Sequence, residues 1–256
     1  MALSHELSSA SVLKLCSFVF WGWFYVWTTF VEPKKSPEWH SRVVTLLHGS
    51  VATLAGLCQC GMTSVDRCRL TMKITYAEYA LMLWSWGYFA FDLLWCLLYW
   101  NGSHVILAHH VVALVAVNVY MSKAYAGCTF ACTLALMEIT NPFLQTRWLF
   151  SIEPCLPRLL RYEGYGQTYI FYLVEIIYFV MFLTIRAIFC TYLVFKVLNS
   201  DILDLDEKLI SLSLYAVSLI LVYEILSYVS YKYKNKIVEE FKGFANEIME
   251  NVTINE

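Results

Sequence analysis

The sequence predicts an all-α polytopic membrane protein of about seven transmembrane helices. Two observations carry this. The 256 residues are 59% hydrophobic and only 15% charged, with a mean hydropathy of +0.57, where a soluble domain carries about 25% charged residues. The apolar residues also fall in continuous runs of about 20, long enough to cross a bilayer as helices, without the period-two alternation of a barrel strand.

In chain order the expected spans are Val12–Val31, Val43–Met62, Tyr79–Trp100, His104–Met121, Tyr125–Phe143, Thr168–Phe195 and Leu209–Tyr231. The first is too long for the apolar region of a cleavable signal and lacks a small-residue cleavage site, so it reads as a span. The short links at Trp100–Ser103 and Ser122–Ala124 make the third, fourth and fifth spans antiparallel neighbours. The longer connection 144–167 carries Pro154 and Pro157 and is expected along the membrane interface. Three parts result: residues 1–35 with the first helix, a helical domain over 36–231, and a charged cytosolic tail over 232–256. Lysine and arginine are modestly biased toward the side holding Lys34, Lys35, Arg42, Arg147 and the tail. That puts the amino terminus outside the cytosol.

The net charge of −2 gives no sign of a nucleic-acid partner. Cysteine is frequent but scattered. Cys58-x-Cys60 and Cys128-x-x-x-Cys132 lie in apolar runs and no Cys-x-x-Cys pair exists, so the cysteines read as small buried residues, with disulfides between lumenal loops as the alternative. No internal repeat is visible, which weighs against an inverted-repeat transporter.

Function is expected where polar groups interrupt the spans. His48, Asp92, His109, His110, Glu138, Glu175 and Glu224 all stand inside apolar runs. Ionisable groups in a bilayer are costly and survive mainly facing a protein interior. Counted along each helix at about 1.5 Å per residue, they lie roughly 5–12 Å from one membrane face. Glu138, Asn141 and Gln145 are spaced i, i+3, i+7 and share one helix face. His109 and His110 diverge by about 100°, so one acts while its neighbour supports, and which does so stays open. Arg186 sits deeper and is expected to pair elsewhere or anchor in the distant leaflet.

Imidazole titrates near neutrality and can take a proton from an amine or hydroxyl, or accept an acyl group itself. His109, His110, Glu138 and Asp92 are therefore the expected catalytic set. His48, Asn141, Gln145, Arg147 and Glu175 are expected to meet substrate. Six histidines are too few for a membrane di-iron site, and His-Glu-x-x-His is absent. A two-histidine metal site completed by Asp92 or Glu138 is the less favoured alternative, so no metal and no bound cofactor is assigned.

Several strings resemble the TLC-domain family, named for TRAM, LAG1 and CLN-eight homology. They are Ser36-Pro37-Glu38-Trp39-His40-Ser41-Arg42-Val43-Val44, His48-Gly49, Gly87-Tyr88-Phe89-Ala90-Phe91-Asp92-Leu93, Ala108-His109-His110, and Glu138-Ile139-Thr140-Asn141-Pro142-Phe143-Leu144-Gln145-Thr146-Arg147-Trp148. Their order and spacing are closest to the family's small protein-five group. The resemblance implies six helices in a barrel around a lipid-accessible cavity, plus one extra span. It also brings in ceramide synthases, whose histidine pair corresponds to His109–His110 and whose Asp-x-x-Asp falls near Glu138-x-x-Asn141, with Asn in place of the second Asp.

The first functional reading is a histidine-dependent lipid acyltransferase. Acyl-CoA would be its co-substrate, and a membrane lipid and an acyl chain would occupy its cavity. The second is a non-enzymatic lipid-binding or trafficking protein that regulates membrane composition. A receptor or transporter ranks third, because the Asp-Arg-Tyr and Asn-Pro-x-x-Tyr strings are missing from the expected spans. The endoplasmic reticulum is the expected membrane, the plasma membrane its alternative, and the chain is compatible with a homo-oligomer.

Overall fold

The computed structural model describes residues 2–60, 73–99, 104–152, 169–201 and 203–253. Its helices are α1 (Ala2–Val31), α2 (Pro37–Cys60), α3 (Tyr76–Leu98), α4 (His104–Met121), α5 (Gly127–Glu138), α6 (Asn141–Ile152), α7 (Tyr169–Leu183), α8 (Cys190–Leu198) and α9 (Leu205–Thr253). A π-helical turn, Thr184–Phe189, joins α7 to α8. No strand occurs among the described residues. The ends of the second, third and sixth expected spans, at Met62, Trp100 and Thr168, lie outside them, as does most of the expected interfacial connection.

Among the described residues, six helices are long and apolar enough to cross a membrane. The expected fifth span is the one that differs. It is broken into α5 and α6 by a turn at Ile139–Thr140. Pro142 lacks the N–H that would bond the Glu138 carbonyl, and its ring crowds that turn. On either side helical bonding persists: Ile139 N–H donates to Ala135 O at 3.0 Å and Leu144 N–H to Thr140 O at 3.0 Å.

The helices form a ring. α2 packs on α3, α3 on α4, α4 on α9, α9 on α8 and the π turn, α7 on α6, and α6 back on α2. α5 leans into the ring from the α6 side and touches α2, α3, α4, the π turn and α8. α1 stands outside, against α2 and α3. In lipid, apolar side chains gain little by leaving the bilayer for the protein, so close packing of small residues decides which helices meet. Gly56 shows this. A Cβ there would lie 2.7 Å from Ala131 O and 2.9 Å from Ala135 Cβ, so only glycine lets α2 and α5 approach this closely. Gly87 does the same for α1 on α3, where a Cβ would meet the Ser17 backbone carbonyl carbon at 2.6 Å.

Local signals set the helix ends. Thr75 caps α3 in a reciprocal box: its Oγ1 accepts from the Glu78 N–H at 3.2 Å, and Glu78 Oε2 accepts from the Thr75 N–H at 2.7 Å. The reading of the cysteines as small buried residues is corrected at Cys60, Cys128 and Cys132, which are disulfide-bonded. Cys60 and Cys132 form a disulfide from the end of α2 to α5, with Cα atoms 5.0 Å apart. The tail beyond Tyr231 continues α9 to Thr253.

Candidate functional site

Polar side chains from α2, α3, α4 and α5 meet inside the ring near the α5–α6 break. The break places Glu138 as the last residue of α5 and Asn141 as the first of α6. Asn141 Nδ2 donates to Glu138 Oε2 at 2.7 Å. The same oxygen lies 3.5 Å from His48 Nδ1, the long limit of a hydrogen bond. Gly49 makes room for this, since a Cβ there would sit 3.0 Å from Asn141 Cβ and 3.5 Å from Glu138 Oε2. His48 is fully buried. Its Nε2 faces Ser85 Oγ at 3.4 Å, and its ring stacks on Tyr88 with centroids 3.8 Å apart and planes at 6°. Trp21 of α1 closes over it edge-on at 5.8 Å.

Tyr88 links this group to a second. Its hydroxyl lies 3.1 Å from Thr45 Oγ1 and 3.4 Å from Asp92 Oδ2, so its one proton serves either. Asp92 Oδ2 is in turn 3.2 Å from His110 Nε2. Tyr88, Asp92 and Cys96 recur every four residues and so share one face of α3. The Cys96 sulfur, Asp92 oxygen and His110 nitrogen lie within 4.8 Å of one another.

His109 takes a third direction. Its ring is 5.6 Å from that of His110, centroid to centroid, and its Nδ1 is buried without a hydrogen-bond partner. Arg186 sits in the π turn, 5% exposed. It donates to Met137 O at 3.0 Å and Ser218 Oγ at 3.2 Å, and its Nε is buried without a partner. The expected anchoring of Arg186 in the distant leaflet is thus corrected. The π turn brings it into the ring, and such turns recur at functional sites.

The remaining expected residues lie toward α6 and α7. Gln145 is buried and its Oε1 accepts from Arg42 Nη1 at 3.1 Å. Arg42 also pairs with Glu38 at 2.8 Å and covers Trp148 at 4.3 Å. Arg147 holds the fully buried Glu175 through Nη2 at 2.9 Å and Nε at 3.0 Å. It also donates to Tyr228 Oη at 3.3 Å. Glu224 is exposed on α9, unlike the buried residues its depth grouped it with.

Tyr88, Cys96 and Arg186 were missed as site residues. The i, i+4, i+8 spacing of the first two with Asp92 was readable from sequence. A π turn leaves no trace in hydropathy, so the inward face of Arg186 was not. A small cleft with about 20 Å³ of room lies elsewhere, between α5, α8 and α9, lined by Thr133, Met137, Cys190, Val194, Ser211 and Tyr215 among others.

A model of the TLC domain matches residues 38–232, from the start of α2 through the ring. The chain belongs to the TLC-domain family. That family is linked to lipid metabolism, and the chain is a multi-pass membrane protein of this type. Human TLC domain-containing protein 4 is 29% identical over 151 residues, 56% of this chain and 56% of the relative. The chain thus spans little more than half the length of the curated relative it matches.

Proposed function

We propose that this TLC-domain protein is a histidine-dependent lipid acyltransferase of the endoplasmic reticulum, of the protein-five type, transferring an acyl chain from acyl-CoA to a membrane lipid. The carrying observation is the division between adjacent histidines. His110 is held by Asp92 at 3.2 Å. Both histidines bury an unpartnered Nδ1, but among the described residues no hydrogen bond or ion pair holds the His109 ring as Asp92 holds that of His110.

An imidazole so placed can act as general base. It takes the proton of the acceptor's amine or hydroxyl as that atom attacks the thioester carbonyl. Glu138 steadies the imidazolium, and Arg186 steadies the negative charge growing on the carbonyl oxygen. The carbon–sulfur bond breaks, and the imidazolium proton passes to the departing thiolate. His48 and Asn141 hold the Glu138 carboxylate for this task. The Cys60–Cys132 bridge supports a membrane whose far side is oxidising, as the lumen of the secretory pathway is.

The second reading is a lipid-binding protein without chemistry, which keeps the ring and needs no titrating histidine; the cleft between α5, α8 and α9, with about 20 Å³ of room, has space for little more than a water. The test is purified protein in nanodiscs with labelled acyl-CoA and a panel of sphingoid and lysophospholipid acceptors. His109→Ala is expected to lower the rate by about 10²–10⁴-fold, the contribution of a general base. Absence of any His109-dependent product, together with lipid retention unchanged by His109→Ala, supports the binding protein instead.

A further inference from the structure

We propose that Asp92, Cys96 and His110 form a binding site for a divalent transition metal of the zinc class. The three donor atoms lie within 4.8 Å of one another, and His110 Nε2 is 3.2 Å from Asp92 Oδ2. Ligand bonds of about 2.0–2.3 Å at tetrahedral angles put neighbouring donors about 3.3–3.7 Å apart. Asp92 and Cys96 are an i, i+4 pair on α3, and His110 comes from the adjoining α4. The set therefore needs no loop and little rearrangement.

Something positive must lie between Nε2 and the carboxylate oxygen, since two lone pairs do not face each other at this distance unaided. A proton would suffice for the pair alone, but it gives the neighbouring sulfur no role. A metal ion uses all three groups. Zinc accepts oxygen, nitrogen and sulfur together, and three protein ligands with a fourth position open to water or substrate is the pattern of its reactive sites. Charge also favours it. A dication with one carboxylate and one thiolate is neutral, and neutrality is what a low-dielectric surrounding demands. On binding, the Cys96 thiol proton is released to solvent and the sulfur–metal bond forms without change of oxidation state.

One outer-shell contact is present, while His110 Nδ1 is buried without a hydrogen-bond partner. The Tyr88 hydroxyl reaches the Asp92 carboxylate at 3.4 Å and would fix its direction, as carboxylate ligands require. Cys96 stands near the end of α3, which closes at Leu98, and is partly exposed, so an ion can arrive from water. The site leaves His109 outside the ligand set; it shares the Asp92–His110 contact with the acyl-transfer reading but does not require that acyl transfer occurs. A metal there would lock His110, and through the chain its neighbour, in place.

The experiment is cobalt(II) titration of the purified full chain in detergent, with zinc counted by elemental analysis after equilibration and desalting. Expected is one ion per chain, tetrahedral d–d absorption and a thiolate-to-cobalt charge-transfer band. Cys96→Ser should abolish that band and weaken binding at least tenfold. His110→Ala should weaken binding while leaving the protein helical by circular dichroism. Cys58→Ser, at an exposed cysteine elsewhere, should change neither. Cobalt bound without a thiolate band, or a band that survives Cys96→Ser, overturns the proposal, as does a stoichiometry near zero in the wild type. These readouts need no lipid product, so their failure and that of acyl transfer are separable.

Discussion

α1 and α5 are opposites. α1 is a 30-residue apolar helix, yet only 6% of its spanning window is buried in the protein. α5 has 12 residues, buries most of them and carries Glu138 inward. Hydropathy alone would rank α1 as the better core helix. In a membrane the ranking reverses, because lipid serves apolar side chains as well as protein does. Small residues mark the helix that is surrounded: Gly127, Cys128, Thr129, Ala131, Cys132, Thr133 and Ala135 crowd α5. Large aromatics such as Trp23 and Phe30 face outward from α1.

The sharpest way to probe this contrast is to remove the polar group that only a central helix can carry. Glu138→Ala strands the buried His48 and Asn141 amide, at about 1–3 kcal/mol for each group left without its partner. Thermal unfolding in nanodiscs should show the largest loss of any single change considered. Gly56→Ala comes next. Overpacking α2 against α5 should cost about 1–3 kcal/mol and be felt by the whole ring. Gly87→Ala imposes a comparable clash on α1 and α3, but its effect should stay local, seen as faster proteolysis between α1 and α2 with the ring's transition kept. Equal losses from the two glycine changes would break the distinction between central and peripheral helices.

The smallest effect is expected at Lys123, which ties the turn before α5 to Asp204 and Asp206 at 2.8 Å each. Both carboxylates are mostly exposed, so the pairs are weak in water. Lys123→Ala should leave the unfolding temperature within experimental scatter. The hydrogen bonds that the Lys123 ammonium donates to Asp204 and Asp206 hold it above its ordinary lysine value. A group raised in the folded state contributes below its unfolded value and loses that contribution only as pH rises through the folded one. Lys123 also holds the Asp206 carboxyl below its ordinary value, so the contact titrates in the acid range as Asp206 is protonated and again above the ordinary lysine range; a change in unfolding between pH 7 and 9 traced to Lys123 would contradict this.

How much of this was legible depends on what each signal measures. Run length located the spans well, because a bilayer imposes length on any helix that crosses it. It hid the break at Ile139–Thr140, since apolar residues continue on both sides of Pro142. Depth along a helix follows from counting, and the polar residues were grouped by it. Direction around the helix axis does not follow from counting alone, which is why Glu224 was grouped with the others although it is exposed. Matching depth also could not choose partners. In the structure His110 meets Asp92 and Glu138 meets His48, two pairs that counting leaves interchangeable with a His110–Glu138 one. The disulfide was illegible for another reason: its cysteines are 72 positions apart, and nothing in either neighbourhood announces the other.

That bridge orders events during biosynthesis. α2 is made early, but its terminal thiol has no mate until α5 has left the ribosome and entered the bilayer. The covalent link therefore cannot guide insertion of α3 and α4. It can only seal an arrangement that those helices have already reached by threading between its two ends. A nascent chain interrupted before Cys132 would carry an unmated Cys60, open to capture by thiol-exchange enzymes. The bridge thus distinguishes finished bundles from abandoned ones.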